Sequence, residues 1–156
     1  MTCKDVICCD RINLTLKMGG EKMTERTFPA DSAVLPEVMS FVEEELEKID
    51  CSMKASMQIT VSVEEIFVNI ANYAYGSEKG EAKIAIDEEN GKVIISFVDN
   101  GTPFNPLERE APDITLSAQE RSIGGLGIFM VRKTMDDVSY EYKDGRNIFT
   151  ISKSKR

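Results

Sequence analysis

The chain contains no histidine, no C-x-x-C pair and no run approaching the ~20 apolar residues that span a membrane. Without histidine or paired thiols, a zinc site lacks its usual ligands. The first residues also lack the basic start and apolar stretch of a secretory signal, so the expectation is a cytoplasmic protein with no membrane attachment. Positive charge is scarce: 19 Lys and Arg stand against 27 Asp and Glu, for a formal net charge of −8. Nucleic acid and anionic membrane are polyanions that such a chain repels overall, which argues against direct contact with either. A nucleotide can still bind at a locally positive spot. Cysteine is sparse, and Cys3, Cys8, Cys9 and Cys51 read as ordinary reduced thiols. Two phosphate-binding signatures are missing as well, G-x-x-x-x-G-K-[ST] and G-x-G-x-x-G after a strand, which removes the P-loop and Rossmann readings.

What is present fits one domain: 156 residues, 42% hydrophobic and 29% charged, enough for a single core. There are no internal repeats. Residues 1–22 read differently from the rest, with clustered cysteines and Gly19-Gly20 ahead of Met23. Met23 is a candidate natural first residue, which would make 1–22 an upstream extension or an addition foreign to the natural chain. The alternation of Ile12, Leu14 and Leu16 equally permits an added edge strand. The domain proper is expected over 23–156.

Within it, a short extended piece at 26–29 leads to Asp31 or Ser32, either of which can cap a helix. That helix carries Leu35, Val38, Met39, Val42, Leu46 and Ile49 at helical spacing. Its other face, with Glu43, Glu44, Glu47 and Lys48, is a solvated one. A second helix is predicted over 57–75 from Ile59, Val63, Ile66, Phe67, Ile70 and Ala74, with Gly76 available to stop it. Two hairpins follow. Strands over 82–88 and 92–98 flank Asn90-Gly91, and strands over 138–143 and 146–152 flank Asp144-Gly145, dipeptides that tolerate the positive φ of a two-residue turn. A third helix is predicted over 126–135. The stretch 99–125, with Pro103, Pro106 and Pro112, is too long and broken for an ordinary connection, and loops of that length are typically lids or disordered. Hairpins with helices set between them imply an α+β two-layer sandwich. Its sheet, mixed but mostly antiparallel, would be covered on one face by helices.

Three constellations carry chemistry. Glu65 and Asn69 are four residues apart on the second helix and share one face with Ser62 and Asn72. Glu65 can accept a proton or orient water, and the carbonyl oxygen of Asn69 suits a hard Mg²⁺ beside phosphate oxygens. A polar outer face is also what any amphipathic helix shows, so the stripe alone is equally explained by solvation. Asp99-Asn100-Gly101 closes the apolar strand and reads either as an Asx turn or as a carboxylate that takes a hydrogen bond from an exocyclic amine such as that of adenine. Ser122-Ile123-Gly124-Gly125-Leu126-Gly127-Ile128 opens the third helix. Each surplus glycine there costs up to ~1 kcal/mol, so three require a reason. Close approach of backbone N–H groups to an anion at the helix's positive end supplies one.

Taken in order, V-E-E-I-F-V-N-I-A-N-Y-A-Y, F-V-D-N-G-T-P-F-N-P and G-G-L-G-I-F-M-V-R-K-T-M-D-D-V resemble the three boxes of the GHKL ATPase superfamily. The resemblance covers roughly 23–153. The compact size, D-x-G-x-P-F and the ending D-G-R-N-I-F-T-I look most like the bacterial anti-sigma-factor serine/threonine kinases. The resemblance implies a Bergerat-type ATP-binding fold with ATP and Mg²⁺ as ligands. It implies that Asn69 coordinates the metal, Glu65 acts as general base or water-orienting group, and Asp99 receives the adenine amine while Gly101 lets the base approach. Gly124, Gly125 and Gly127 would support the phosphate-binding helix start, Arg121 would contact phosphate, and Asn147 would help hold the adenine side. A lid would extend over roughly 105–124. Tyr73 stands where relatives often carry histidine and Asn105 where they carry aspartate, departures that bear on lid behaviour and partner choice.

Two classes of function follow. One is a serine/threonine kinase that phosphorylates an antagonist (anti-anti-sigma) protein and sequesters a sigma factor. The other is a nucleotide-gated binding module that transfers no phosphoryl group. Glu65 favours the first, because an adaptor has little need of a carboxylate one turn from the metal ligand. A sensor histidine kinase fragment ranks last, since the chain has no phosphoacceptor histidine. Homodimerisation is left open, because no single stripe announces an interface.

Overall fold

A computed structural model of the protein describes residues 23–108, 115 and 126–156. The candidate edge strand around Ile12, Leu14 and Leu16 lies outside the described residues. The elements run β1 (Thr24–Pro29), α1 (Leu35–Lys48), α2 (Met53–Tyr73), β2 (Glu81–Glu89), β3 (Lys92–Asp99), α3 (Leu126–Thr134), β4 (Asp137–Lys143) and β5 (Arg146–Ser154). The spatial order of the sheet is β1-β2-β3-β5-β4.

Every described strand pair is antiparallel, so among the described residues the sheet lacks the parallel pair that a mixed one would contain. The reason is connectivity. Two helices, α1 and α2, intervene between β1 and β2, and this double pass returns the chain reversed. Between β3 and β4 there is one helix, so those strands run the same way, but β5 sits between them and pairs with both. The two tight turns are as expected: Asn90 and Asp144 hold φ of 53° and 52°, each followed by a glycine at 76°.

The helices differ from expectation mainly at their starts. Asp31 does cap, accepting Ala33 N–H at 2.9 Å, but the turn it caps is a short 3-10 piece, and α1 begins after it with Pro36 in its first turn. There a missing N–H costs nothing. α2 begins four residues before the expected 57, because Ser52 accepts Ala55 N–H and caps it. Gly76 stands just beyond its end with a φ of 59°.

The core lies between the helical layer and one face of the sheet. Val38, Val42 and Leu46 of α1 and Ile59, Val63, Ile66 and Phe67 of α2 meet Ile84, Ile86, Ile95, Phe97, Phe149 and Ile151 of the strands. α2 lies between α1 and α3 and touches both. Phe28 and Phe67 meet edge to face with ring centroids 6.5 Å apart, an arrangement aromatic pairs prefer. On each strand the inward residues alternate, which sets Asp99 and Asn147 inward at one end of the sheet, directly opposite each other across β3 and β5. Among the described residues, no helix is long and apolar enough to cross a membrane.

Candidate functional site

The end of β3 places a carboxylate where the apolar layer stops. Asp99 is only 6% exposed, and among the described residues no cation pairs with it. Its Oδ1 accepts two hydrogen bonds of 2.9 Å, from Gly101 N–H and from Asn147 Nδ2. The first is the Asx turn expected of Asp-Asn-Gly. The second comes from a side chain 48 residues away that the register of β5 delivers. Asn147 is equally buried, and its Nδ2 also reaches the Thr102 carbonyl at 3.1 Å. Tyr140, inward on β4 and diagonal to Asn147, donates its hydroxyl to Asn147 Oδ1 at 2.6 Å. Burial pushes the Tyr140 phenol above its ordinary value of 10.0; the Phe104 N–H bond opposes this, and nearby Asp99, Tyr142 and Glu108 add to it.

The segment after β3 is fastened to the C-terminal end of α2. Thr102 N–H reaches the Ala74 carbonyl at 2.8 Å. Gly101 lies so close that a Cβ there would stand 2.3 Å from that same carbonyl oxygen, which explains the glycine without reference to a ligand. Tyr75 completes the clasp: its hydroxyl donates to the Glu81 carbonyl and accepts Asn100 N–H at 2.9 Å. Asp99 is thereby held against the helix that carries Glu65 and Asn69. Downstream, Asn105 Oδ1 accepts Leu107 N–H at 3.0 Å. Asparagine thus caps this turn as an aspartate would.

On α2 itself, Glu65 and Asn69 are both half-buried, one helical turn apart, and neither has a side-chain hydrogen bond among the described residues. The Glu65 carboxylate lies against the start of α3, where a Cβ added to Gly127 would stand 2.1 Å from Oε2. Gly127 therefore lets α3 close onto Glu65. Ser62 belongs to the core side instead, 1% exposed with its hydroxyl on the Gln58 carbonyl at 2.9 Å, and Asn72 faces solvent. Of the polar stripe, Glu65 lies against the start of α3, and Asn69 is half-buried one turn further along α2. Arg121, Gly124 and Gly125, and most of the expected lid, lie outside the described residues.

The model of the histidine kinase-like ATPase domain matches residues 28–153, most of the chain. The chain belongs to that family. Among curated relatives, a serine-protein kinase RsbW of Listeria monocytogenes is 30% identical over 102 residues, covering 62% of this chain and 65% of its own. A serine/threonine-protein kinase BtrW of Bordetella bronchiseptica is 24% identical over 102 residues, covering 65% of this chain and 72% of its own. The chain thus spans somewhat under two thirds of the length of the RsbW relatives it matches. Among solved structures, the RsbU and RsbW domains of a Mycobacterium tuberculosis protein superpose with a TM-score of 0.62 at 16% identity, over 85% of this chain and 32% of that one. The catalytic domain of histidine kinase ThkA gives 0.51 at 18% identity, over 86% and 96%. These two likenesses concern the fold. They accord with the α+β sandwich whose sheet end and central helix frame the site.

Of the residues that sequence reasoning singled out, Asp99, Gly101 and Asn147 are joined at the end of β3 and β5, Glu65 meets Gly127 between α2 and α3, and Asn69 is half-buried on α2 one turn from Glu65. It missed Tyr140 and Tyr75. A signal for Tyr140 was available: it alternates with Val138 on a strand whose inward face is apolar, and a half-buried phenol there needs a hydrogen-bond partner. Tyr75, by contrast, reads in sequence as the tail of a helix.

Proposed function

We propose that this chain is an ATP-dependent serine/threonine protein kinase of the anti-sigma type. In this reading it holds Mg-ATP between Asp99 and α2 and passes the γ-phosphoryl group to an antagonist protein. The observation that carries the reading is Asp99: a buried carboxylate with no cation beside it among the described residues, both of its described hydrogen bonds taken on Oδ1. A buried anion is costly unless donors complete it, and Oδ2 is left for a donor from outside. The exocyclic amine of adenine is such a donor.

At the other end, Asn69 would offer its carbonyl oxygen to magnesium. Among the described residues no cluster of His, Cys, Asp or Glu could hold a metal by itself, so the ion would arrive with the phosphates. When bound, magnesium supplies charge neutralisation on the phosphate oxygens. Glu65, one turn away, would accept the proton of the attacking hydroxyl. The N-terminus of α3, with Gly124, Gly125 and Gly127, would receive phosphate oxygens on backbone N–H groups, with Arg121 as a further contact. The relatives' names as serine and serine/threonine kinases support the phosphoacceptor class. A sigma factor sequestered in alternation with an anti-anti-sigma protein, in the cytoplasm, belongs to the same proposal.

Mixing the protein and Mg-ATP with the anti-anti-sigma proteins of its own organism, followed by mass spectrometry of those proteins, tests the reading. Phosphate on one serine or threonine, lost on Glu65→Ala by a factor on the order of 10² to 10⁴ in rate, is expected. ATP bound but no transfer by either form would instead favour the nucleotide-gated binding module.

A further inference from the structure

The amide of Asn147 is oriented by groups that cannot exchange roles. Its Oδ1 faces Phe104 N–H at 3.2 Å, which can only donate. Its Nδ2 faces the Gly101 and Thr102 carbonyls at 3.4 and 3.1 Å, which can only accept. Turning the amide over would set oxygen against two carbonyls and a carboxylate, and set the amine against an N–H. With that orientation fixed, the Tyr140 hydroxyl meets an acceptor and must donate. It does so at 2.6 Å, while its own lone pair takes Phe104 N–H at 3.2 Å. A directed chain results: Tyr140 donates to Asn147, and Asn147 donates to Asp99 Oδ1 at 2.9 Å. Hydrogen bonds in such a chain polarise one another, so the first link strengthens the last.

We propose that Tyr140 is a positioning residue for base recognition: through Asn147 it keeps Asp99 Oδ1 occupied and Oδ2 presented to the ligand, so that the pocket selects a purine bearing a 6-amino group. The inference rests on the reading of Asp99 as the base-recognising carboxylate. Tyr140 need not touch the nucleotide. Its second bond, from Phe104 N–H, ties the same hydroxyl to the segment that leads towards the expected lid. Base recognition and the entrance of that segment therefore share one hydroxyl, which donates to Asn147 and accepts from Phe104.

The test is calorimetric titration of the full chain with ATP and with purine riboside triphosphate, which lacks the 6-amino group. Wild type is expected to prefer ATP by on the order of 10- to 100-fold, the range for a hydrogen bond to a charged group. Tyr140→Phe is expected to weaken ATP several-fold while leaving the purine riboside triphosphate nearly unchanged, which shrinks that preference. A purely structural role would weaken both nucleotides together, and that outcome, or an unaltered preference, overturns the inference. Wild type that binds neither nucleotide refutes the proposed function itself. Equal binding of both by wild type refutes the reading of Asp99 and the inference with it. Should Tyr140→Phe fold poorly, 3-fluorotyrosine at position 140 keeps the ring and the hydroxyl while making the phenol a stronger donor: a shifted preference for ATP with the affinity for purine riboside triphosphate nearly unchanged is expected, and an unaltered preference overturns the inference.

Discussion

The two ends of the site are built by different means. At the sheet end, Asp99, Asn147 and Tyr140 come from three adjacent strands and are joined by hydrogen bonds of 2.6 to 2.9 Å without any ligand. At the helical end, Glu65 and Asn69 project from one helix, half-buried, and no hydrogen bond among the described residues ties them down. A strand register fixes its side chains against neighbours on both sides, so a binding feature placed there is preorganised by the fold. A helix face fixes direction but not the last ångström. Under the proposed function the difference amounts to a division of labour: the sheet end would decide which base binds, while the helical end would be completed by what the base brings with it.

That comparison breaks most sharply at Asp99. Asp99→Ala removes the acceptor for the base and leaves Asn147 Nδ2 with only backbone carbonyls. ATP affinity should fall on the order of 10- to 100-fold, read by calorimetry, with α2 and its residues undisturbed. An unchanged affinity would mean the sheet end does not read the base.

Gly127→Ala perturbs the other end alone. The added methyl would fall on the Glu65 carboxylate, 2.1 Å from Oε2, so this flexible side chain must move. Phosphoryl transfer should drop by roughly tenfold or more, since small misplacements of a catalytic group are costly, while ATP affinity changes little. Loss of ATP affinity with transfer preserved would reverse the assignment of the two ends.

The smallest expected effect concerns pH. Burial raises the Tyr140 phenol above 10.0, so the folded protein holds that proton more tightly than the unfolded chain does. This contribution to stability is fully present below the unfolded value and is lost as pH rises through the folded one. Thermal melts of wild type should therefore decline more steeply above about pH 10 than those of Tyr140→Phe. Parallel curves would place Tyr140 outside the buried network.

Much of this was legible in the sequence, and what was not has identifiable reasons. The turns at Asn90-Gly91 and Asp144-Gly145 were readable because positive φ restricts the residue type. The body of α2 was readable from the spacing of Ile59, Val63, Ile66 and Phe67, but its first turn was not, since Met53 and Met57 are exposed there and break the apolar pattern. The insertion of β5 between β3 and β4 is a matter of tertiary packing that local periodicity does not encode. For the site, Glu65 and Asn69 share a helix face at a spacing visible in the chain, whereas the bond between Asp99 and Asn147 spans 48 residues and depends on register. Family resemblance pointed to Asn147; nothing local did. Ser62 misled, because a serine on a helix can satisfy itself on the carbonyl one turn back and sit in the core.

The measurement that bears most directly on the central claim is ATP binding by calorimetry with and without Mg²⁺, run beside Asn69→Ala. Binding that strengthens with magnesium in the wild type, and loses that magnesium dependence in Asn69→Ala while Asp99 still holds the base, is the predicted result. Magnesium dependence that survives in Asn69→Ala, or no ATP binding by the wild type at all, would contradict it.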